Sequence, residues 1–199
     1  MCASSLIKTY YRKPAKDRIL QGDILRDISF KFEWTSTNRT EEKYKTIEEY
    51  TLPYSIVLSQ DCDLDEDFED RKTEGADGHD AYIPSILICP AFPALELREG
   101  DHLKDFGYVM KHKNKHEFNY IKTNRDPRYH YLPKYADYEI PHLILDFKQL
   151  YALPRIYLYK IYGDYYLASL NELIRERLCQ RFSFYFSRFG LPEISHEKL

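Results

Sequence analysis

Gln60-Asp61-Cys62-Asp63 sets an amide, two carboxylates and a thiol directly after the apolar run 54–59. Strand ends are places where a rigid element aims side chains that a following loop leaves accessible. If the strand continues, Asp61 and Asp63 share one side and Cys62 takes the other, giving a carboxylate pair for general-base or metal work. The plainer reading is an Asp-rich turn bonding its own backbone, and it stands beside the first. Asp61, Asp63 and Asp65 also imitate the opening of a calcium loop. Glu66 stands where that loop needs glycine and Lys72 where it needs a bidentate glutamate, which excludes the motif. Cys62 and Cys89 with His79 or Asp61 would make a zinc set if the chain brought them together. As buried thiols the two cysteines would instead act as small hydrophobes.

A second group of reactive types lies in residues 104–134, where Lys122, Arg125, Arg128 and His130 alternate with Tyr129 and Tyr131. Cations that neutralise phosphates, beside rings that stack on bases, are the ingredients of single-stranded RNA binding. The same pattern suits a solvated charged face with packed tyrosines, and both readings stay open. Gln60 joins the RNA-binding candidates as a polar group at the strand end.

Positioning these groups falls to a chain that reads mainly as β. Alternation through Ile28, Phe30 and Phe32 predicts a strand, residues 35–49 a loop or ragged hairpin, and 54–59 a buried strand. Residues 61–80 carry ten acidic side chains and Gly75 and Gly78, which predicts a mobile surface loop. Further strands are expected at 83–89, ended by Pro90 and Pro93, and at 105–110, 117–122 and 142–146. A last hairpin over 156–167 would turn at Gly163-Asp164. Ser169-Leu170-Asn171-Glu172 reads as a capping box opening an amphipathic helix over about 169–189, closed by Gly190 and Pro192. Its arginines Arg175, Arg177, Arg181 and Arg188 lie off the apolar stripe, as a solvated face or a partner surface.

In order along the chain, Gln21-Gly22-Asp23-Ile24, the run 52–59, Ile86-Leu87-Ile88-Cys89-Pro90, Leu143-Ile144-Leu145-Asp146 and a capped C-terminal helix resemble the MazF/PemK family of toxin-antitoxin mRNA interferases. The resemblance implies an SH3-like small β-barrel with insertions, an α+β fold that is mainly β. It implies a barrel over about 18–167 and a closing C-terminal amphipathic helix. It also implies metal-free cleavage of single-stranded RNA, with Asp146 as the acidic residue. At three positions the chain departs from the family: Leu52 stands for the arginine before proline, Ala91-Phe92 for the threonine or serine, and Ile144 for a basic residue. On the toxin barrel, Arg128 and His130 are the substitutes at hand for the missing cations, His130 because imidazole moves protons near neutral pH.

Length and charge set the outer bounds. The 199 residues suit one domain, 1–199, with 43% hydrophobic residues and an unusual 19 Tyr and 11 Phe. A net charge of -3 gives no chain-wide case for nucleic acid or membrane, so a basic site must be local. No apolar run reaches the length of a membrane span, and scattered cysteines match a reducing compartment, so the expectation is a cytoplasmic protein without cofactor. Two functions follow. One is a bacterial toxin-type endoribonuclease of toxin-antitoxin or phage-defence systems, using Asp146, Arg128 and His130 with Asp61, Asp63 and Gln60 at the pocket. The other is a catalytically inactive barrel that binds RNA or a protein, such as an antitoxin or a second copy of itself.

Overall fold

The computed structural model describes residues 10–14, 17–37, 43–72 and 80–187. Alternation along β2 (Asp23–Thr37) buries Ile24, Ile28 and Phe30, and β3 (Lys43–Val57) pairs with it from Ile24↔Ile56 out to Thr37↔Lys43. The polar residues 35–37 and 43–49 therefore lie in a regular two-stranded antiparallel ribbon, the hairpin alternative rather than the loop. Phe30 stacks on Tyr50 at 5.7 Å on one of its faces, while Lys31–Glu49 and Lys45–Glu33 ion pairs occupy the other.

Around this ribbon the short strands β1 (Tyr11–Arg12), β4 (Ser85–Pro93), β5 (Tyr129–Leu132), β6 (Leu143–Asp146), β7 (Tyr151–Pro154) and β8 (Tyr166–Leu170) complete one antiparallel sheet. Its order is β1-β8-β2-β3-β4-β6-β5, with β7 also on β4. The sheet curls into a half-barrel, so the fold is α+β and mainly β. Strand β4 is its hinge. One edge pairs β3, and the other pairs β7 through Ile88 and then β6 from Ala91. Pro90 falls in the gap between these two partners, so the strand runs through it and ends at Pro93, the second of the two expected prolines.

Five α-helices lie on the sheet among the described residues: α1 (Asp61–Asp70), α2 (Ala94–Glu99), α3 (Lys115–Lys122), α4 (Arg155–Tyr165) and α5 (Glu172–Phe186). Several expectations are overturned by them. The acidic stretch is not a loose loop through 61–70, because Leu64 is fully buried and arginines from distant segments neutralise its carboxylates. Residues 73–79, including Gly75, Gly78 and His79, lie outside the described residues. Residues 117–122 are helix and 105–110 hold a single 3-10 turn (Lys104–Phe106), not strands. The tyrosine-rich segment 156–165 is helix α4, not a hairpin arm: Leu158 buries on the sheet and Tyr162 donates to Asp23, so tertiary packing overrides β propensity. Ser169 caps nothing. It sits in β8 and donates to the buried Asp23 carboxylate at 2.6 Å, and α5 starts after Asn171. Gly190 and Pro192 lie outside the described residues.

Three apolar clusters fill the fold. One lies beneath α5, around Leu178, Leu145 and Phe147; one beneath α4 and α1, around Leu158, Leu64 and Ile88; one beneath α2 and α3, around Leu97, Ile121 and Tyr129. Helix α1 is pinned by Asp67, whose inaccessible carboxylate accepts from Arg71 Nε at 2.8 Å, the Ile83 amide at 3.0 Å and Arg155 Nε. Removing one partner of a buried pair leaves the other charge uncompensated. Asp67→Asn is expected to lower unfolding stability by about 3 kcal/mol in urea titration, and a loss below about 0.5 kcal/mol would deny the pair that role.

Candidate functional site

Strands β5 and β6 pair Tyr129 with Asp146, which brings Arg128 onto the Asp146 carboxylate. Asp146 is fully inaccessible. Its Oδ1 accepts from Arg128 Nε at 2.7 Å and from the Lys148 amide at 3.1 Å, and its Oδ2 accepts a second guanidinium bond. Arg128 is itself fixed by its backbone N–H, which donates to Asp126 Oδ1 at 2.9 Å, and by lying over the Tyr129 ring at 4.8 Å. A bidentate pair of this kind holds geometry strongly, and it fixes the carboxylate out of contact with solvent.

His130 stands apart from that pair. Side chains alternate across a strand, so Tyr129 and Tyr131 share the face of Asp146 while His130 enters the opposite one, beside Phe147 and under α5. Burial there, then the charges of Arg181 and Arg177, push the imidazole down to about 3. It is a neutral core side chain at physiological pH, not the proton carrier expected from its type. Arg181 is no solvated arginine either. It donates to the carbonyls of Asn124, Asp126 and Tyr129 at 2.5, 2.6 and 2.8 Å, tying α5 to the turn before β5.

The Gln60–Asp63 group opens helix α1, so Asp61 and Asp63 diverge around the helix instead of sharing a strand face. Asp61 accepts from Arg18, Arg175 and the Gln21 amide, each at 3.2 Å, and serves as the clasp between α1, the entry to β2 and α5. Asp63 and Cys62 are exposed, whereas Cys89 is buried and donates to the Pro90 and Asp146 carbonyls, so the two thiols make no common site. Among the described residues no cluster of three His, Cys, Asp or Glu is placed to hold a metal.

A different constellation forms where α2, α3 and the approaches to β5 and β6 meet. A cleft of about 260 Å³ is walled by Pro93, Leu95, Phe118, Tyr131, Pro141 and His142, with Lys122 at its side. Asn114 caps α3 by accepting from the His116 and Glu117 amides at 2.9 and 3.0 Å, while Glu117 accepts from the Asn114 amide at 2.9 Å. This box fixes a helix on which Phe118 and Lys122 stand four residues apart, one above the other. Tyr131 is held by Asn124, which takes φ 56° and engages both its N–H (2.7 Å) and its C=O (3.3 Å).

The imidazole of His142 stacks on Tyr131 with centroids 5.6 Å apart, and Nδ1 accepts from Tyr131 Oη at 2.6 Å and from the Lys134 amide at 3.2 Å. Two bonds accepted at Nδ1 place the proton on Nε2. Partial burial, then Lys134 and Lys122, lower the His142 pKa and keep it neutral. Lys122, Arg125 and Lys134 have no acidic partner among the described residues, because Glu117 pairs with Lys111 at 3.0 Å. The rim is therefore locally basic on a chain of net charge -3.

Of the residues singled out for RNA contact, Lys122 and Tyr131 meet in this cleft and Arg125 lies exposed just beyond α3. Tyr129 is buried beneath Arg128, and Gln60 belongs to α1. Phe118, His142 and Leu95 escaped the sequence reading; the Asn114–Glu117 spacing was the signal for the first. No protein-family model matches this chain, and no curated protein or solved structure matches it significantly.

The position of His130 makes a pH prediction. Its folded value lies below the ordinary 6.5, so the stability it contributes is complete above pH 6.5 and is lost as pH falls toward about 3. Over that window the wild-type stability is expected to decline about 1.4 kcal/mol per pH unit more steeply than that of His130→Leu. Parallel curves would place the imidazole in water.

Proposed function

We propose that this protein is a single-stranded RNA-binding module whose cleft between α3 and β5 takes one unpaired base, and that it does not cleave its ligand. The observation that carries this reading is the cleft itself: aromatic walls from Phe118, Tyr131 and His142, an ammonium at Lys122, and about 260 Å³ of space. Every base offers a π face, so a ring-walled slot beside a cation accepts an unstacked base without needing a sequence code. The likeness of motif order to the MazF/PemK toxins supports RNA as the ligand. Binding without cleavage is supported by Leu52, Ala91 and Ile144 at the departing positions and by the saturation of Asp146 by Arg128 and the Lys148 amide.

Fluorescence anisotropy with a labelled single-stranded oligoribonucleotide tests the proposal, run with EDTA present and the RNA length checked on a gel. Phe118→Leu is expected to raise Kd about tenfold. Lys122→Ala is expected to weaken binding and reduce the slope of log K against log salt by about one. The RNA should stay intact. Affinity that neither variant changes, or RNA cut by the wild type and spared by Asp146→Asn, would overturn the reading.

A further inference from the structure

On the other side of α2 the surface changes sign. Leu95 lines the base cleft, but its neighbour Glu96 lines a larger cavity of about 490 Å³ between α2, the 3-10 turn and the base of the β2–β3 ribbon. Asp27, Glu49, Glu96, Asp101 and Asp105 converge on this cavity. Asp27 reaches it through a left-handed φ of 58° at the point where β2 faces Pro53, which has no N–H to offer. Among the described residues Glu96, Asp101 and Asp105 have no ion-pair partner, and burial, then Asp105 and Asp101, raise the Glu96 pKa. Glu49 and Asp27 pair with Lys31 and Arg26, so three of the five carboxylates gathered here are left without a cation among the described residues.

Two further observations say what kind of cation is missing. The cavity runs into a second recess of about 230 Å³ that shares Glu49, Asp105 and Phe106 and adds Tyr50 and Tyr108. Phe106 stacks on Tyr50 at 5.4 Å and Tyr108 is 63% exposed, so ring faces stand beside the carboxylates. Ring faces attract a guanidinium or ammonium, and Arg in particular stacks flat while it donates in a fork. His102, more than nine-tenths buried, lines the larger cavity, and among the described residues neither of its ring nitrogens has a hydrogen-bond partner. Burial keeps it neutral, its ring packs edge-on to Phe92 at 5.0 Å, and both of its nitrogens lie out of reach of solvent. A small metal ion would use the carboxylates and leave the rings idle, whereas an extended basic segment uses both.

We propose that this acidic, ring-walled groove is a docking site for an arginine-rich peptide segment of a partner protein, whose guanidinium groups pair with Asp101, Asp105 and Glu96 and stack on Phe106 and Tyr108. The site is separated from the base cleft by α2 and does not rest on the RNA reading.

The test is anisotropy of a fluorescein-labelled Arg-Gly-Arg-Gly-Arg peptide titrated with the full chain. Asp101→Asn with Asp105→Asn is expected to raise Kd about tenfold. A control that removes the same charge from α1, Asp63→Asn with Glu66→Gln, is expected to stay within about twofold. Tyr108→Ala is expected to weaken binding about threefold to fivefold. Circular dichroism checks that each variant keeps the wild-type fold, and Tyr108→Ala keeps the test decisive if the double variant misfolds. Equal weakening by both charge-matched pairs, absence of saturable binding, or displacement of the peptide by millimolar Mg2+ alone would overturn the proposal.

Discussion

A carboxylate taken wholly out of water must meet a cation or several N–H donors, and Asp146 meets both. Its bidentate bond to Arg128 joins the end of β6 to the beginning of β5, and the rest of the basic half of the molecule follows from that junction. The pair fixes which face of β5 each side chain takes. Tyr129 goes inward beneath the guanidinium, His130 goes to the opposite face under α5, and Tyr131 emerges beside His142. The acid and cation that the sequence offers as catalytic partners form a bidentate clasp between β5 and β6. What they position is an aromatic slot.

Two other anchors reinforce the same segment. Arg181 reaches from α5 to two carbonyls of the turn between α3 and β5 and to that of Tyr129 at the start of β5, and Asn124 pairs with the backbone of Tyr131 as a neighbouring strand would. The opposite end of the sheet repeats the logic with Asp61 and Asp67, each clamped by two arginines from separate parts of the chain. Asp61 and Asp67, neutralised by arginines, hold α1 on the sheet, whereas Glu96, Asp101 and Asp105 beside α2 have no ion-pair partner among the described residues. The second set, next to exposed rings, gives the molecule an acidic, ring-lined cavity beside the basic, ring-walled cleft.

How much was legible in the sequence follows from the range of the forces involved. Strands β2 and β6 and the end of β3 at 54–57 were readable because alternation and apolar runs are local signals, and the existence of α5 followed from its three- and four-residue apolar spacing. Helix α1 was not readable, because its stability depends on Arg18, Arg155 and Arg175, which lie far away in the chain. Helix α4 was misread because tyrosines favour strands in general yet pack here through Leu158 and the Tyr162–Asp23 bond. Ser169 and Asn114 offer an instructive contrast. Both begin a four-residue capping pattern, but only Asn114 caps, since a buried carboxylate at Asp23 claims the Ser169 hydroxyl. The candidate site was half legible: Lys122 and Tyr131 lie in the basic, aromatic stretch, while Phe118 and His142 join them only through the helix cap and the β5–β6 register. Among the described residues no helix is long and apolar enough to cross a membrane, in keeping with the lack of a long apolar run.

The central claim is that RNA meets the ring-walled cleft and not the Arg128–Asp146 pair or the opening of α1. Ultraviolet cross-linking of a 4-thiouridine oligoribonucleotide to the protein, with the adducts located by mass spectrometry, measures this directly. The account expects adducts on Phe118, Tyr131 or His142. Adducts confined to the Gln60–Asp63 segment, or none at all, would contradict it.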